Sequence, residues 1–313
     1  MQRSTKVHAV TWWSPLVLVS LAGIASAGDV RPSTVTIPVP PGDFTPPPLP
    51  AGVHAEAPVD GWWKKKGACP KGTRLEHEKV ADKRHRWTVY VCNGKGSPKP
   101  YTAWNEKDHE AWWTDADGER HGGVRVKSFA YETTELYIHG KRTGRWTHRA
   151  LSGGQDGFAH YRDDKKHGLA HDAMPNLTEG GYYVDGKREG TWFVWNTTPV
   201  ESVRAVFQYK AGVMDGTQRW WTRDGALLAR ADFTAGAGTW TAFGPDGARA
   251  ETRCKGRELV EASARDRAGT LRFRACGPGA TGCTSHGTKD GGERQTLGEM
   301  MCDWSHVPPF KRW

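Results

Sequence analysis

Six cysteines carry the most definite chemistry in this sequence. One pair precedes a repeated central region and four follow it, at Cys69, Cys92, Cys254, Cys276, Cys283 and Cys302. The cysteines are even in number and follow a leader of the export type at residues 1–27, and this combination predicts disulfides. We predict that Cys69 pairs with Cys92, because the other four lie beyond the repeats; those four allow three pairings, which the sequence leaves open. A zinc site is the alternative, although the chain has no Cys-x-x-Cys spacing.

Motifs for enzyme chemistry are absent or incomplete in the sequence. Residues 109–113, His-Glu-Ala-Trp-Trp, begin like a zinc-protease helix but have Trp where the second His must stand. The sequence has no serine-hydrolase elbow and no phosphate-binding loop. His167 and His171 flank Gly168 and are interpreted as a solvated surface pair. We therefore predict no catalytic residue, no cofactor and no metal. A pair of carboxylates that acts as in a glycosidase is the alternative, although no particular pair is indicated.

Basic residues with interleaved aromatics form the candidate binding segment. Residues 61–150 hold 19 Lys and Arg against 11 Asp and Glu, within a chain whose formal charge is +9. Such a patch attracts anionic lipid, polysaccharide or nucleic acid, of which nucleic acid is the least expected for an exported protein. The alternative is a solvated charge run that only keeps a sheet protein soluble. The residues that we expect to bind are Lys64, Lys65, Lys66, Arg84 and Arg86.

A glycine repeat organises the chain that positions these residues. The first glycine of each unit lies at 94, 118, 140, 186, 212 and 236, with Asp164 in place of one, so that units are roughly 22 to 26 residues apart. This spacing is typical of repeat architectures. The repeat positions that we single out are Tyr137, Gly140, Gly144, Trp146, Tyr183, Gly186, Gly190, Trp192, Tyr209, Gly212 and Gly216.

Each unit predicts a hairpin with an aromatic pair across it. An Asp-Gly step supplies positive φ at little steric cost. A four-residue turn over 186–189 would place Tyr183 directly across from Trp192, and the same offset would pair Tyr137 with Trp146. Such a pair contributes about 0.2 to 1 kcal/mol beyond an Ala pair. The predicted fold is an all-β, elongated antiparallel meander of about seven hairpin repeats with disulfide-stapled ends; an ordinary β-sandwich is the alternative.

At residues 137–146, 183–195 and 209–225 the chain resembles the bacterial variant of the MORN repeat, a family often labelled as antitoxin-type. Its units read approximately Tyr-x-Asn/Asp-Gly-Lys-x-x-Gly-x-Trp-x-x-Tyr/Trp. The resemblance covers roughly residues 92–250 and departs at Asp164 and at a short turn near Gly236. It implies a β-repeat fold and interaction rather than catalysis, and it does not establish an antitoxin role.

The chain ends complete the predicted domain organisation. Arg3 and Lys6, a short apolar stretch and Ala25-Ser26-Ala27 together read as a secretory signal. A proline-rich stretch after it favours an extended, solvated spacer. Residues 73–86 read as a polar loop. The predicted domains are a signal peptide over 1–27, a Pro-rich disordered linker over 28–60, a MORN-like β-repeat domain over 61–260 and a cysteine-containing cap over 261–313.

These patterns predict an exported, non-enzymatic repeat protein of the bacterial periplasm or exterior that acts as a scaffold or binding surface. The expected partner is another protein or an anionic envelope polymer or lipid surface, with no nucleic acid and no transmembrane span in the mature chain. The alternative is a glycan-binding or glycan-active envelope module, because exposed Trp on a β surface can stack on sugar rings. A carboxylate pair that faces a Trp-lined groove would favour this alternative.

Overall fold

The computed structural model describes residues 30–81, 86–105, 107–152, 156–173, 177–196, 202–244, 247–256 and 258–277. The predicted signal peptide, Arg84, Cys283 and Cys302 lie outside these residues. The strands are β1 (Thr73–Ala81), β2 (Arg86–Gly94), β3 (Lys99–Trp104), β4 (His109–Thr114), β5 (Arg120–Lys127), β6 (Tyr131–Ile138), β7 (Lys141–Ala150), β8 (Asp156–Arg162), β9 (Lys165–Ala173), β10 (Leu177–Val184), β11 (Lys187–Asn196), β12 (Ser202–Lys210), β13 (Val213–Met214), β14 (Gly216–Trp221), β15 (Leu227–Thr234), β16 (Ala237–Phe243), β17 (Arg249–Lys255), β18 (Glu258–Arg265) and β19 (Leu271–Cys276).

The strands form one antiparallel sheet in which each strand pairs with the next along the chain, from β1 with β2 to β18 with β19. β12 also pairs with β14 past the two-residue β13. The prediction of an all-β antiparallel meander is therefore confirmed. Residues 73–81, which read as a polar loop, form β1 instead. Within the described ranges the helical structure is a single 3-10 turn, Trp62–Lys64, and no helix is long and apolar enough to cross a membrane.

The repeated glycines lie in turns that stack along one edge of the sheet. Gly140, Gly186 and Gly212 have φ values of 72°, 83° and 87°, a left-handed backbone that glycine adopts without a steric penalty. Each N–H donates to a carbonyl in the preceding turn: Gly140 to Arg120 (2.9 Å), Gly186 to Lys166 (2.7 Å) and Gly212 to Arg188 (2.9 Å). Consecutive hairpins are therefore joined turn to turn.

The register within the hairpins differs from the predicted one. The turn consists of residues 185–186, so that Tyr183 pairs with Arg188 and not with Trp192. The register then shifts at Gly181, and a side chain on this glycine would collide with the Trp192 ring that packs over it. The Tyr183 and Trp192 rings still meet edge to face, with centroids 4.9 Å apart, but across a diagonal. The earlier unit follows the same rule: Tyr137 pairs with Arg142, and Trp146 donates from Nε1 to Glu135 (3.1 Å).

A strap formed by residues 31–63 lies across one face of the sheet, from β14 back to β2. The proline content predicts a solvated linker here, whereas the strap contacts strand after strand and Pro40 is buried. Extended proline-rich chain suits this role because it needs no ladder partner for its own backbone. We call the covered side the strap face and the other side the ladder face. The contacts, in order, are Arg31 with the Arg223 carbonyl (2.9 Å), Phe44 with Tyr182 (ring centroids 4.9 Å apart), His54 with Trp113 (4.2 Å) and Trp63 with Tyr90 (4.4 Å).

Backbone contact fixes the middle and the end of the strap. The N–H of Gly123 donates to the His54 carbonyl at 2.7 Å. A side chain at Gly123 would collide with the strap backbone at Glu56, so only glycine permits this approach. At the end of the strap the Trp62 side chain is buried and donates from Nε1 to Thr102 Oγ1 at 2.8 Å. The strap is therefore an ordered part of the fold and not a solvated linker.

Both faces of β11 are apolar and largely buried. On the strap face of β11, Phe193 and Trp195 pack with Val35 and Ile37 of the strap. On the ladder face Trp192 joins a larger cluster, and neither set of apolar residues at β11 is an exposed surface. Large members of that ladder-face cluster are Phe207, Trp220, Phe233, Trp240 and Leu259.

A ladder of cations and aromatic rings occupies the ladder face of the earlier strands. Four successive units carry a cation two positions after the first glycine of the unit, or after Asp164 where it replaces that glycine. In the next unit this position is Met214, which is buried. Cation–π contacts contribute about 0.5 to 2 kcal/mol, with the larger value for desolvated pairs. Each cation lies near the tyrosine ring of the following unit: Arg120 and Tyr137 (5.5 Å to the centroid), Arg142 and Tyr161 (4.8 Å), Lys166 and Tyr183 (5.0 Å), and Arg188 and Tyr209 (5.4 Å).

Disulfides are present near both ends of the described sheet. The predicted bond between Cys69 and Cys92 is confirmed and joins the segment after the strap to β2. Closing a loop of 23 residues contributes about 3 kcal/mol in the chain-entropy model. Cys254 on β17 and Cys276 on β19 are also disulfide-bonded.

Candidate binding groove beside the strap

A groove opens on the strap face where the strap passes β3, β4 and β5. It lies at the edge opposite the stacked glycine turns and has a volume of about 490 Å³, within the range of small-molecule sites. Its apolar wall is formed by Trp104, Phe129 and Leu151. Its polar lining comprises Asp60, Asn105, Lys107, Asp108, His109, Arg125, Lys127, Ser128 and Glu132.

The apolar wall is unusually open to solvent. Trp104 is 42% exposed at the end of β3, and Phe129 is 80% exposed in the turn between β5 and β6. The Ser128 hydroxyl shapes this turn by accepting the N–H groups of Ala130 and Tyr131, each at 3.1 Å, and so holds Phe129 outward. Grouped exposed rings of this size indicate a binding surface rather than a core.

The floor of the groove is a triad that ties the strap to two strands. Asp60 Oδ1 accepts from Arg125 Nη2 at 2.8 Å and lies 3.1 Å from His109 Nε2. Burial lowers the pKa of His109 below its ordinary value, against the opposing pull of Asp60. His109 is therefore neutral at pH 7, which leaves the cation of Arg125 as the main charge partner of the Asp60 carboxylate.

The carboxylates of the groove are already engaged. Besides Asp60, the groove has Glu132, which pairs with Arg149 at 3.1 Å, and Asp108, which accepts from Asn105 Nδ2 at 3.3 Å. A glycosidase needs one carboxyl group that gives up a proton and a second that acts as nucleophile or base. A set of carboxylates held by cations and an amide is better suited to hydrogen-bonding a ligand than to acid catalysis.

The predicted basic residues reach the groove at one place. Lys64, Lys65 and Lys66 are exposed, directly after Trp63. The Trp63 ring lies 6.0 Å from that of Trp104 in the groove wall, so the lysine run begins one residue after a ring that lies next to this wall. Arg86 is exposed at the start of β2, opposite Ala81, and Arg84 lies outside the described residues.

Sequence reasoning missed the residues that build the groove. Asp60, Trp104 and Arg125 are far apart in the chain. Asp60 lies beside Trp104 and Arg125 only because the strap crosses the sheet at this place. One signal was present: Phe129 stands between Ser and Ala outside the repeated glycine and aromatic positions.

No protein-family model matches the chain, and no curated protein gives a match. The functional proposal therefore depends on the residues of the groove and their geometry.

Proposed function

We propose that this protein is an exported, non-enzymatic binding protein of MORN-like repeats that holds an acidic polysaccharide of the cell envelope in the groove. The observation that supports this most directly is the pair of exposed rings, Trp104 and Phe129, beside a floor of fixed polar groups. A flat ring offers an apolar surface to one face of a sugar, and fixed donors and acceptors orient its hydroxyls.

Charge beside the groove supports an acidic ligand over a neutral one. Within the groove the cations Lys107, Arg125 and Lys127 are matched by the carboxylates Asp60, Asp108 and Glu132. The positive excess comes from Lys64, Lys65 and Lys66, which follow Trp63 next to the groove wall. Each such cation adds about 1 kcal/mol near an anionic surface at moderate salt. The attraction is screened over about 8 Å at physiological ionic strength, so binding of this origin weakens as salt rises.

The partners of the groove carboxylates support binding rather than hydrolysis of the glycan. The Asp60 and Glu132 side chains are each held by an arginine. The resemblance to the MORN-like repeat points the same way, because it implies interaction.

The test uses polygalacturonate as the acidic polymer and dextran as the neutral one, with affinity measured by isothermal titration. Trp104→Ala is expected to weaken binding to polygalacturonate at least tenfold, because the stacking ring is lost. Changing Lys64, Lys65 and Lys66 together to Ala is expected to weaken binding to polygalacturonate more at low salt than at high salt. The matched control changes Lys141, Lys165 and Lys187 to Ala, which removes the same charge from exposed positions at the opposite edge.

Two outcomes would contradict the proposal. Full affinity in Trp104→Ala would exclude the groove as the polysaccharide site and would favour a protein partner that binds elsewhere on the sheet. Equal loss in the two lysine triples would show that net charge alone attracts the polymer.

A further inference from the structure

Three side chains with metal-binding atoms converge at the edge of the stacked turns, opposite the groove. Asp115 follows β4, His121 lies in β5 and His139 follows β6, and their ligand atoms all lie within 4.8 Å of one another. The first and last of these residues are 24 positions apart in the chain, so no local motif announces them.

Asp115 is the fixed member of this cluster. Its side chain is only 9% exposed, and its Oδ1 accepts the N–H groups of Asp117 (3.1 Å) and Glu119 (3.0 Å). These bonds leave Oδ2 directed towards His139, whose Nδ1 lies 2.9 Å away. A carboxylate oriented by backbone donors is typical of metal ligands, which depend on such outer hydrogen bonds for their position.

The two histidines meet because the turns stack. The bond from the Gly140 N–H to the Arg120 carbonyl sets residue 139 beside residue 121. The backbone N–H of His139 donates to His121 Nδ1 at 3.2 Å, and the two ring centroids are 4.4 Å apart. His139 holds this place with a left-handed φ of 45°, which costs energy in a residue with a side chain.

We propose that Asp115, His121 and His139 bind a divalent transition-metal ion of the zinc type. Two imidazole nitrogens and one carboxylate oxygen suit Zn²⁺, whereas Mg²⁺ and Ca²⁺ prefer oxygen ligands alone. With bonds of about 2.1 Å, tetrahedral ligand atoms lie about 3.4 Å apart. The pair of Asp115 and His139 atoms, 2.9 Å apart, is already closer than this, whereas the widest separation in the cluster, within 4.8 Å, has to shorten. The His139 side chain, 70% exposed, has room to rotate for both adjustments.

The protonation of the cluster agrees with this proposal. Burial, with repulsion from His139, lowers the pKa of His121 below its ordinary value. His121 is therefore neutral at pH 7, the form that binds metals. Asp115 has its pKa lowered as well, because the hydrogen bonds from His139 and the backbone outweigh its burial, so it is an anionic ligand at neutral pH.

A later pair of turns supplies a natural control. His167 and Asp185 occupy the same repeat positions as His121 and His139, with Nδ1 and Oδ1 3.2 Å apart. Here a carboxylate replaces the second imidazole, and the Nε2 of His167 contacts the Asp43 carbonyl of the strap at 3.0 Å. This pair offers fewer metal donors while keeping the same backbone.

The experiment titrates Zn²⁺ into the tag-free, oxidised chain at pH 7.5 in competition with a chromophoric chelator. His139→Asn, which tolerates the left-handed backbone, and His121→Gln, which keeps an acceptor for the His139 N–H, are each expected to weaken Zn²⁺ affinity at least tenfold. His167→Gln is expected to leave it unchanged. Affinity should fall as the pH is lowered, because a metal ion binds only deprotonated ligand atoms, and millimolar Mg²⁺ should not compete.

Three results would overturn the site: unchanged affinity in both variants of the cluster, an equal loss in His167→Gln, or displacement of Zn²⁺ by millimolar Mg²⁺. Circular dichroism of each variant checks the fold. If His121→Gln fails to fold, His139→Asn on its exposed ring decides the question.

Discussion

The early and late repeats share one hairpin geometry but fill the ladder face with opposite chemistry. In the early repeats Arg142 lies between the rings of Tyr137 (6.0 Å) and Tyr161 (4.8 Å). In the late repeats the same position is Met214, buried in an apolar cluster with Trp240. The turn and its glycine therefore fix the backbone, and either charge pairing or apolar burial can fill the face that it presents.

The two solutions stabilise the sheet by different means. Burying an ion costs several kcal/mol unless a partner compensates it, so each early cation needs an acid. Arg188 pairs with Glu179 at 2.7 Å, with both side chains largely buried, and Arg142 lies 3.7 Å from Glu135. The late repeats depend on apolar area, which contributes roughly 25 cal/mol per Å² removed from water.

The largest expected effect compares one substitution at matched positions of two units, of which only the later packs its Trp into the apolar cluster. Trp192, 1% exposed, and Trp146, half-buried, each lie two residues after the second glycine of a unit. Trp192→Ala should cost about 3 to 5 kcal/mol of unfolding free energy, through lost burial and a cavity. Trp146→Ala should cost about 1.5 kcal/mol, because less apolar area is lost. Urea denaturation of both variants checks this, and equal losses would mean that the two tryptophans are packed alike.

A second substitution makes an early unit resemble a late one. Arg188→Met alone should cost about 3 kcal/mol, because Glu179 is left buried without its cation. Adding Glu179→Leu should restore most of the loss, since an apolar pair can replace an ion pair. The measurement is the same urea transition for the single and double variants. A double variant no more stable than the single one would show that the two chemistries are not interchangeable.

The smallest expected effect concerns His171, which lies between Phe158 and Trp195 and whose buried Nε2 has no hydrogen-bond partner among the described residues. Burial lowers its pKa in the folded protein, against the pull of Asp172. The unfolded chain takes up this proton near pH 6.5, so stability is lost as the pH falls from there through the lowered folded pKa.

The check for His171 compares urea midpoints at pH 7.5 and pH 5.5. His171→Phe keeps a ring at this place and removes the titration, so the difference between the two pH values should shrink. An unchanged difference would assign the pH dependence to other groups, such as His109.

The sequence predicts the meander because its strongest signals are local. Gly140, Gly186 and Gly212 mark turns, and the strands between them alternate in side-chain character. The pairing of Cys69 with Cys92 follows from position alone. The predicted register was wrong because the turn consists of residues 185–186 and not 186–189. A bulge at Gly181, over which the Trp192 ring packs, then brings Tyr183 and Trp192 together only across a diagonal.

The strap, the groove and the histidine cluster were not predictable in the same way. A proline-rich sequence predicts a solvated segment when the surface to which it binds is not known. The surface around Gly123 forms only when β5 has joined the sheet. The groove depends on Asp60 of that strap. The cluster of Asp115, His121 and His139 depends on which turns stack, which is a property of the assembled edge.

The strap also dictates the order in which the chain can fold. Neighbouring strands pair by local hairpins, which form in about 1 to 10 μs, whereas contacts between distant residues slow folding. Arg31 bonds to the Arg223 carbonyl, 192 residues later, so the strap leaves the ribosome long before its seat exists. The first part of the strap can therefore dock only after β14 has been made, whereas its later part can already dock on β2 to β5.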